Sequence, residues 1–242
     1  RGPMFLDLAA AAGAAIGGAT GAGGDAPKVL LVEDKEGRLY PEATLADADV
    51  VEHWLVKWAR GQAGRRDELV LAGEVAYARA LGELGLDIVE VHRSESGSPE
   101  RRSCAWLRRF DRRVTGAGVE RDAVESLYSL VGSTRPGAQI AHQDYLAALA
   151  RALRLNGQEG DVAAMVTEYV CRDLLNLLLG NSDNHGRNTA VLRTGGRLRL
   201  APIYDLAPMV MDPEGIARSS RWGLALERGG TVDWHGVCAS IQ

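Results

Sequence analysis

The pattern of apolar and polar residues changes along the chain. In the first half, short apolar runs are separated by polar or glycine-containing turns, a pattern typical of strands. It predicts strands over 28–33, 53–58, 88–93 and 104–110. One longer segment, 68–84, is rich in Leu, Ala and Glu and predicts a helix that ends at Gly85.

The second half has the three-and-four spacing of helices. It predicts helices over 143–153 and 162–179, followed by a hairpin, an apolar strand-like run at 203–206 and an irregular tail. The hairpin pairs 189–192 with 197–200 and turns at Gly195–Gly196. We therefore expect an α+β fold with two lobes: a strand-rich N-lobe over 1–112 and a mainly helical C-lobe over 113–242.

The segment before the first strand is rich in small residues. Residues 5–15 are Ala-rich and predict a helix, and 17–27 form a glycine-rich loop that contains Gly24 and precedes Lys28. Backbone N–H groups of such a loop can hold phosphate, and Lys28 can add a positive charge. A flexible linker explains the same composition equally well.

Composition and charge exclude several classes of protein. The chain has 242 residues, 46% of them hydrophobic, and a net charge of −4, which argues against a strongly basic nucleic-acid binder. Its three cysteines, Cys104, Cys171 and Cys238, are far apart, so neither a zinc site nor a disulfide framework is predicted. Apolar segments are too short to cross a membrane, and we expect a cytoplasmic protein with reduced thiols.

The segment Asn181–Asn188 carries the most specific chemical pattern. Asp183 and Asn188 are separated by four residues, as in the catalytic loop of protein kinases, and His185 makes the pattern D-x-H-x-x-N. In such a loop the Asp faces the acceptor hydroxyl and the Asn oxygen binds magnesium. The alternative is an ordinary polar turn, since Asn, Ser, Asp and Gly all favour turns.

Three further residues fit the same chemistry. Lys57 lies inside an apolar strand, where it must either extend to solvent or meet an anion, and Glu74 on the next helix is its best partner. Asp205 follows the predicted hairpin, where kinases place a second magnesium ligand. Each has a plain structural alternative, but their order along the chain predicts an ATP-dependent phosphotransferase.

These motifs resemble the C-terminal kinase region of HipA-type proteins. The resemblance rests on Asn181–Asn188 and on Leu200–Leu206, supported by residues 24–28, 54–57, 81–86 and 109–112, and it spans about residues 17 to 210. It implies a serine/threonine protein kinase that uses ATP and Mg²⁺, often the toxin of a toxin–antitoxin pair. It also implies a DNA-binding antitoxin as partner and a protein substrate such as an aminoacyl-tRNA synthetase.

The resemblance also implies residue roles. Asp183 would be the catalytic base, Asn188 and Asp205 the magnesium ligands, and the remaining positions would contact ATP: Gly24, Lys28, Lys57, Glu74, Arg109, Phe110 and His185. Arg109–Phe110 would form the hinge near adenine. Gly21 stands where many members have an autophosphorylated serine, with Thr20 beside it. A small-molecule or lipid kinase and an inactive nucleotide-binding fold remain the alternatives.

Overall fold

The computed structural model describes residues 26–98, 101–135, 137–212 and 214–241. These residues form two compact units. Unit 1 contains the described residues as far as Asp122 together with Pro202–Glu214, and unit 2 contains Ala123–Ala201 and the described residues from Gly215 onward. The two lobes expected over 1–112 and 113–242 stay a prediction.

Unit 1 is built on an antiparallel sheet of five strands in the order β2-β1-β3-β5-β4. The strands are β1 (Lys28–Asp34), β2 (Leu39–Pro41), β3 (Val50–Trp58), β4 (Val91–Glu95) and β5 (Cys104–Arg108). Lys57 lies opposite Lys28 on one neighbour and Ala105 on the other. Side chains that are directly opposite each other point to the same face, so Lys28 and Lys57 share one face of this sheet.

Helix α1 (Arg65–Glu83) packs on that sheet. It buries Val70, Leu71, Glu74, Val75, Ala78 and Leu81, the spacing of one helical face. Leu71 and Val75 pack with Ala105 and Leu107 of β5. The helix ends before Gly85, whose φ of 82° lies in the left-handed region that glycine allows.

Two segments of unit 1 differ from the predicted elements. The strand predicted at 88–93 begins only at Val91, because residues 87–89 hydrogen-bond to Ile203 instead, through Val89 N to Ile203 O and Ile203 N to Asp87 O (2.8 Å each). The chain after β5 also forms a hairpin, β6 (Arg112–Thr115) with β7 (Gly118–Arg121), that was not predicted.

Unit 2 is mainly helical. Strand β8 (Ala123–Ser126), helix α2 (Leu127–Leu130) and strand β9 (Ile140–Ala141) precede α3 (His142–Leu155) and α4 (Val162–Leu178). The hairpin of β10 (Ala190–Thr194) and β11 (Arg197–Leu200) follows α4, as predicted, and β10 also pairs with β8. Tyr145, Leu149 and Leu153 of α3 are buried in the core with Met165 and Tyr169 of α4.

The tail predicted to be irregular is partly ordered. It contains β12 (Ser220–Arg221), β13 (Glu227–Arg228), β14 (Thr231–Val232) and helix α5 (Trp234–Ser240). Trp222 and Val237 join the core of unit 2, which explains why this segment folds. Among the described residues, no helix combines the length and the apolar composition that crossing a bilayer requires.

Candidate active site

Lys57 is the centre of the charged cluster in unit 1. Its Nζ donates to both carboxylate oxygens of Glu74, at 2.9 and 2.7 Å, and to Oδ1 of Asp205. The side chains of Lys57 and Glu74 are 11% and 9% exposed, and that of Asp205 is 29% exposed. Three residues that were predicted separately from their order in the sequence are therefore in direct contact.

Burial and charge act in opposite directions on this cluster. Burial favours the neutral amine of Lys57, but the negative charges of Asp205 and Glu74 outweigh it and raise the pKa of Lys57. Burial raises the pKa of Glu74. The positive charge of Lys57 lowers this pKa and the negative charge of Asp205 raises it, and the net shift is upward. The ammonium thus stays charged, with the buried carboxylate of Glu74 beside it and that of Asp205 reaching solvent.

Asp205 is held in an unusual backbone conformation. Its φ is 58°, in the left-handed region that non-glycine residues seldom occupy. The preceding residues do not form the strand-like run that was predicted: Ile203 makes only an isolated bridge with Ile88, and Tyr204 stacks on Phe110 with ring centroids 5.8 Å apart. The bridge and the ring contact fix the position of Asp205 within unit 1.

Arg109 does not have a free side chain. Its guanidinium binds Glu42 at 2.9 Å and Asp111 at 2.6 Å, and its side chain is 12% exposed. The hinge role of Arg109 and Phe110 remains a prediction. Lys28 is buried opposite Lys57 and stays a candidate phosphate ligand.

The loop Asn181–Asn188 belongs to unit 2 and is closed by its own hydrogen bonds. Asn188 Nδ2 donates to the carbonyl of Asp183 at 2.9 Å, and Asn188 N donates to the carbonyl of His185 at 2.8 Å. His185 Nε2 lies 3.8 Å from Oδ1 of Asp183. Since Nδ2 is engaged, Oδ1 is the side-chain atom of Asn188 that a metal ion would take.

Two tyrosines that sequence reasoning missed support this loop. The ring of Tyr128 stacks on His185 at 5.9 Å, and Tyr128 N donates to the carbonyl of Gly186. A Cβ at Gly186 would fall 2.8 Å from Cε1 of Tyr128 and 2.5 Å from the hydroxyl of Tyr145. Gly186 is therefore required by close packing, which a single sequence does not reveal.

Asn188 and Asp205 supply the oxygen atoms that Mg²⁺ prefers, a side-chain amide and a carboxylate. Within the part of the chain that the structure describes, no group of three or more His, Cys, Asp and Glu side chains is placed to hold a metal ion. Each of these residues, taken by itself, suits a magnesium ion that takes its other ligands from water and substrate phosphates.

Part of the predicted site, Gly24 together with Thr20 and Gly21, falls outside the described residues. Unit 1 also has a cavity of about 330 Å³, lined by apolar residues, by Glu42, and by His53 and Arg112 among others. None of the predicted site residues lines it.

Comparison with known proteins identifies the family. The model of the HipA-like C-terminal domain matches residues 20–237. The chain belongs to this family. No curated protein matches the sequence significantly. The family predicted from the Asn181–Asn188 and Leu200–Leu206 motifs is thereby confirmed.

A solved structure shows the same fold. A chain in the complex of the Shewanella oneidensis MR-1 toxin–antitoxin system HipA and HipB with operator DNA is 20% identical, with a TM-score of 0.60. The match covers 82% of this HipA-like domain and 46% of that chain. The Helicobacter pylori proinflammatory kinase CtkA is 17% identical, with a TM-score of 0.47 and coverage of 77% and 55%. This domain therefore spans about half of each of these chains. The Shewanella match, with its TM-score of 0.60, confirms the predicted α+β, protein-kinase-like fold class.

Proposed function

We propose that this HipA-like domain is an ATP-dependent serine/threonine protein kinase. The contact of the buried Lys57 with Glu74 and Asp205 carries the proposal. A kinase needs a charged lysine for the phosphates, a helix glutamate to hold that lysine and an aspartate for magnesium. Stability alone does not require a buried lysine with two carboxylates, because apolar residues of similar size would cost less free energy to bury.

In the proposed reaction, Asp183 accepts the proton of the acceptor hydroxyl. The hydroxyl oxygen forms a bond to the γ-phosphorus of ATP as the bond to the β–γ bridging oxygen breaks, and ADP leaves. Asp183 is suited to this role because its side chain is 33% exposed while its backbone is held by Asn181 and Asn188. Magnesium bound by Asn188 and Asp205 would neutralise charge on the phosphates. Lys57 and Lys28 would hold those phosphates.

The test is transfer of labelled γ-phosphate from Mg-ATP by the purified chain, to itself or to added protein. We expect Asp183→Ala to lose at least about a hundredfold in rate, since base and positioning are both removed. Asp144→Ala, a change of an exposed aspartate, is the matched control and should transfer phosphate normally. Phosphoserine or phosphothreonine in the product supports the proposed specificity.

Other outcomes separate the alternatives. Transfer that survives in Asp183→Ala contradicts the role of this residue. Calorimetric binding of ATP without any transfer indicates an inactive nucleotide-binding fold, and labelling of a lipid or small molecule without labelled protein indicates a different acceptor. EDTA should abolish transfer by the wild type, because it removes the magnesium that Asn188 and Asp205 are proposed to bind.

We also propose a DNA-binding antitoxin as partner and a cytoplasmic protein, such as an aminoacyl-tRNA synthetase, as substrate. The support is the family match and the composition of the Shewanella complex, which contains HipA, HipB and operator DNA. Phosphoproteomics after induced expression, wild type against Asp183→Ala, should reveal the substrate. The partner proposal predicts that a helix-turn-helix protein encoded beside this chain co-purifies with it.

A further inference from the structure

A buried carboxylate lies behind the loop Asn181–Asn188. Asp173 is on α4, the helix that leads into the loop, and it is 2% exposed. Its Oδ1 accepts from Asn184 Nδ2 at 3.1 Å, and its Oδ2 accepts from Trp222 Nε1 at 2.9 Å. Arg218 Nη2 lies 3.3 and 3.4 Å from the two oxygens. One carboxylate thus joins a helix, the loop and the segment that contains Arg218 and Trp222.

His142 completes this cluster. It is fully buried at the start of α3, with Nε2 3.1 Å from Arg218 Nη2 and 3.4 Å from Asp173 Oδ1, and with Nδ1 2.7 Å from the hydroxyl of Tyr169. Arginine can only donate hydrogen bonds, so Nε2 accepts from Arg218. His142 and Asp173 therefore both contact Nη2 of the Arg218 guanidinium.

The contact with Asn184 gives the cluster a function beyond stability. Asn184 is 8% exposed and points inward to Asp173, whereas the side chain of the next residue toward the N-terminus, Asp183, is 33% exposed. A bond that fixes the inward side chain also restricts the backbone that orients the outward one. Burying a carboxylate for stability alone is costly compared with apolar packing, so a positioning role accounts for the group better.

We propose that Asp173 is a positioning residue that orients Asp183 through Asn184, with His142 and Arg218 holding the Asp173 carboxylate. The proposal rests on the proposed role of Asp183 as base. It predicts that changes at Asp173 lower kcat with little effect on KM for ATP, because Lys57 and Lys28, the proposed phosphate ligands, belong to unit 1 and are unchanged.

The test compares Asp173→Asn with Glu227→Gln. Glu227 is a second buried carboxylate of the same cluster: its Oε2 accepts from Trp222 N at 2.8 Å and lies 3.8 Å from Arg218 Nη2. Glu227 and Asp173 therefore both contact Trp222 and Arg218. They differ in that Asn184 donates its hydrogen bond to Asp173. We expect Asp173→Asn to lose about 10- to 100-fold in kcat for phosphate transfer from Mg-ATP, with KM for ATP within about twofold. Glu227→Gln should keep kcat even if both variants melt at lower temperature.

A double-mutant cycle adds a readout that a general loss of folding does not produce. Asn184→Ala should lose kcat to a similar extent, and the double variant Asp173→Asn/Asn184→Ala should be no slower than either single variant. Additive losses, an unchanged kcat in Asp173→Asn, or equal losses of kcat in Asp173→Asn and Glu227→Gln would overturn the proposal.

Hydrogen–deuterium exchange distinguishes failure of this proposal from failure of the proposed function. If the wild type transfers no phosphate, the kinase proposal fails, but the orientation of the loop can still be measured. We expect amides of residues 181–188 to exchange faster in Asp173→Asn than in Glu227→Gln. Equal exchange of this loop in the two variants contradicts the positioning role, whatever the activity.

Discussion

The buried ammonium of Lys57 compensates two carboxylates, and its removal leaves both without that charge. We predict that Lys57→Met lowers the free energy of unfolding by about 3 kcal/mol and abolishes phosphate transfer, because uncompensated buried charge is costly. Urea unfolding and labelled-ATP assays measure the two effects. Lys35→Met, at an exposed lysine of the turn after β1, is the matched control.

A second variant separates stability from function at the same position. Lys57→Met/Glu74→Gln removes the charge of the more buried carboxylate, so its stability should recover partly while transfer stays absent. If the double variant is as unstable as Lys57→Met, the pairing with Glu74 is not the source of the loss.

Gly186 yields a residue-scale prediction based on close packing. We expect Gly186→Ala to lower the free energy of unfolding by about 1–3 kcal/mol, since its Cβ would overlap the ring of Tyr128 and the hydroxyl of Tyr145. Because Gly186 lies between Asp183 and Asn188, kcat should fall as well. Gly160→Ala, where a Cβ meets no atom within 4 Å, should lower neither quantity. Normal stability of Gly186→Ala would contradict the packing.

Single residues were predictable where the residues of one kind of site follow a known order along the chain. Lys57, Glu74 and Asp205 were selected from that order, and Lys57 contacts both of the others. Tyr128 and Asp173 were not selected, because their importance arises from contacts with residues far along the chain that one sequence does not reveal. The roles assigned to Asp183, Asn188 and the other site residues stay predictions.

Helix α1 contains two glycines that predict opposite effects of the same substitution. Replacing glycine by alanine inside a helix usually stabilises it by about 1 kcal/mol. At Gly82 the new Cβ would meet Ile88 Cγ2 at 3.7 Å, an ordinary contact, so Gly82→Ala should raise the melting temperature. At Gly73 it would lie 2.5 and 2.7 Å from two ring carbons of Pro208, so Gly73→Ala should lower it. Thermal unfolding of both variants is the measurement.

Pro208 provides the check on that explanation. The double variant Gly73→Ala/Pro208→Ala removes the ring that the new methyl group meets and should be more stable than Gly73→Ala. If the double variant melts at the same temperature as Gly73→Ala, contact with Pro208 is not what destabilises Gly73→Ala.

Elements were predictable where a regular spacing of apolar and polar residues extends over the whole element. Helices α1, α3 and α4 and the hairpin of β10 and β11 match the expected segments within a few residues. The β6–β7 hairpin was missed because its strands are rich in charged residues and largely exposed. Helix α5 was missed because it has only seven residues, and Val237 is its one fully buried contact with the core.

At the scale of the whole molecule, His142 links the stability of the fold to pH. Burial lowers the pKa of His142 to about 4, against the attraction of Asp173, whereas an unfolded chain has its histidines near 6.5. Between these values the unfolded chain binds a proton that the native His142 does not. The free energy of unfolding therefore falls as the pH decreases from about 7 to about 4, and this contribution is constant above that range.

The size of the effect follows from the difference in pKa, and it amounts to about 3 kcal/mol. His142→Gln removes the titrating group. We predict that its free energy of unfolding falls by about 3 kcal/mol less than that of the wild type between pH 7 and pH 4. His235→Gln, at an exposed histidine of α5, should follow the wild-type curve. Urea unfolding at a series of pH values gives all three curves. Parallel curves for the wild type and His142→Gln would show that the pKa of His142 is the same in the native and the unfolded chain, which contradicts the lowered pKa. In that case native His142 would be protonated below about pH 6.5, so Nε2 could not accept from Arg218 there. The hydrogen-bond arrangement behind the loop would then have to be reassigned.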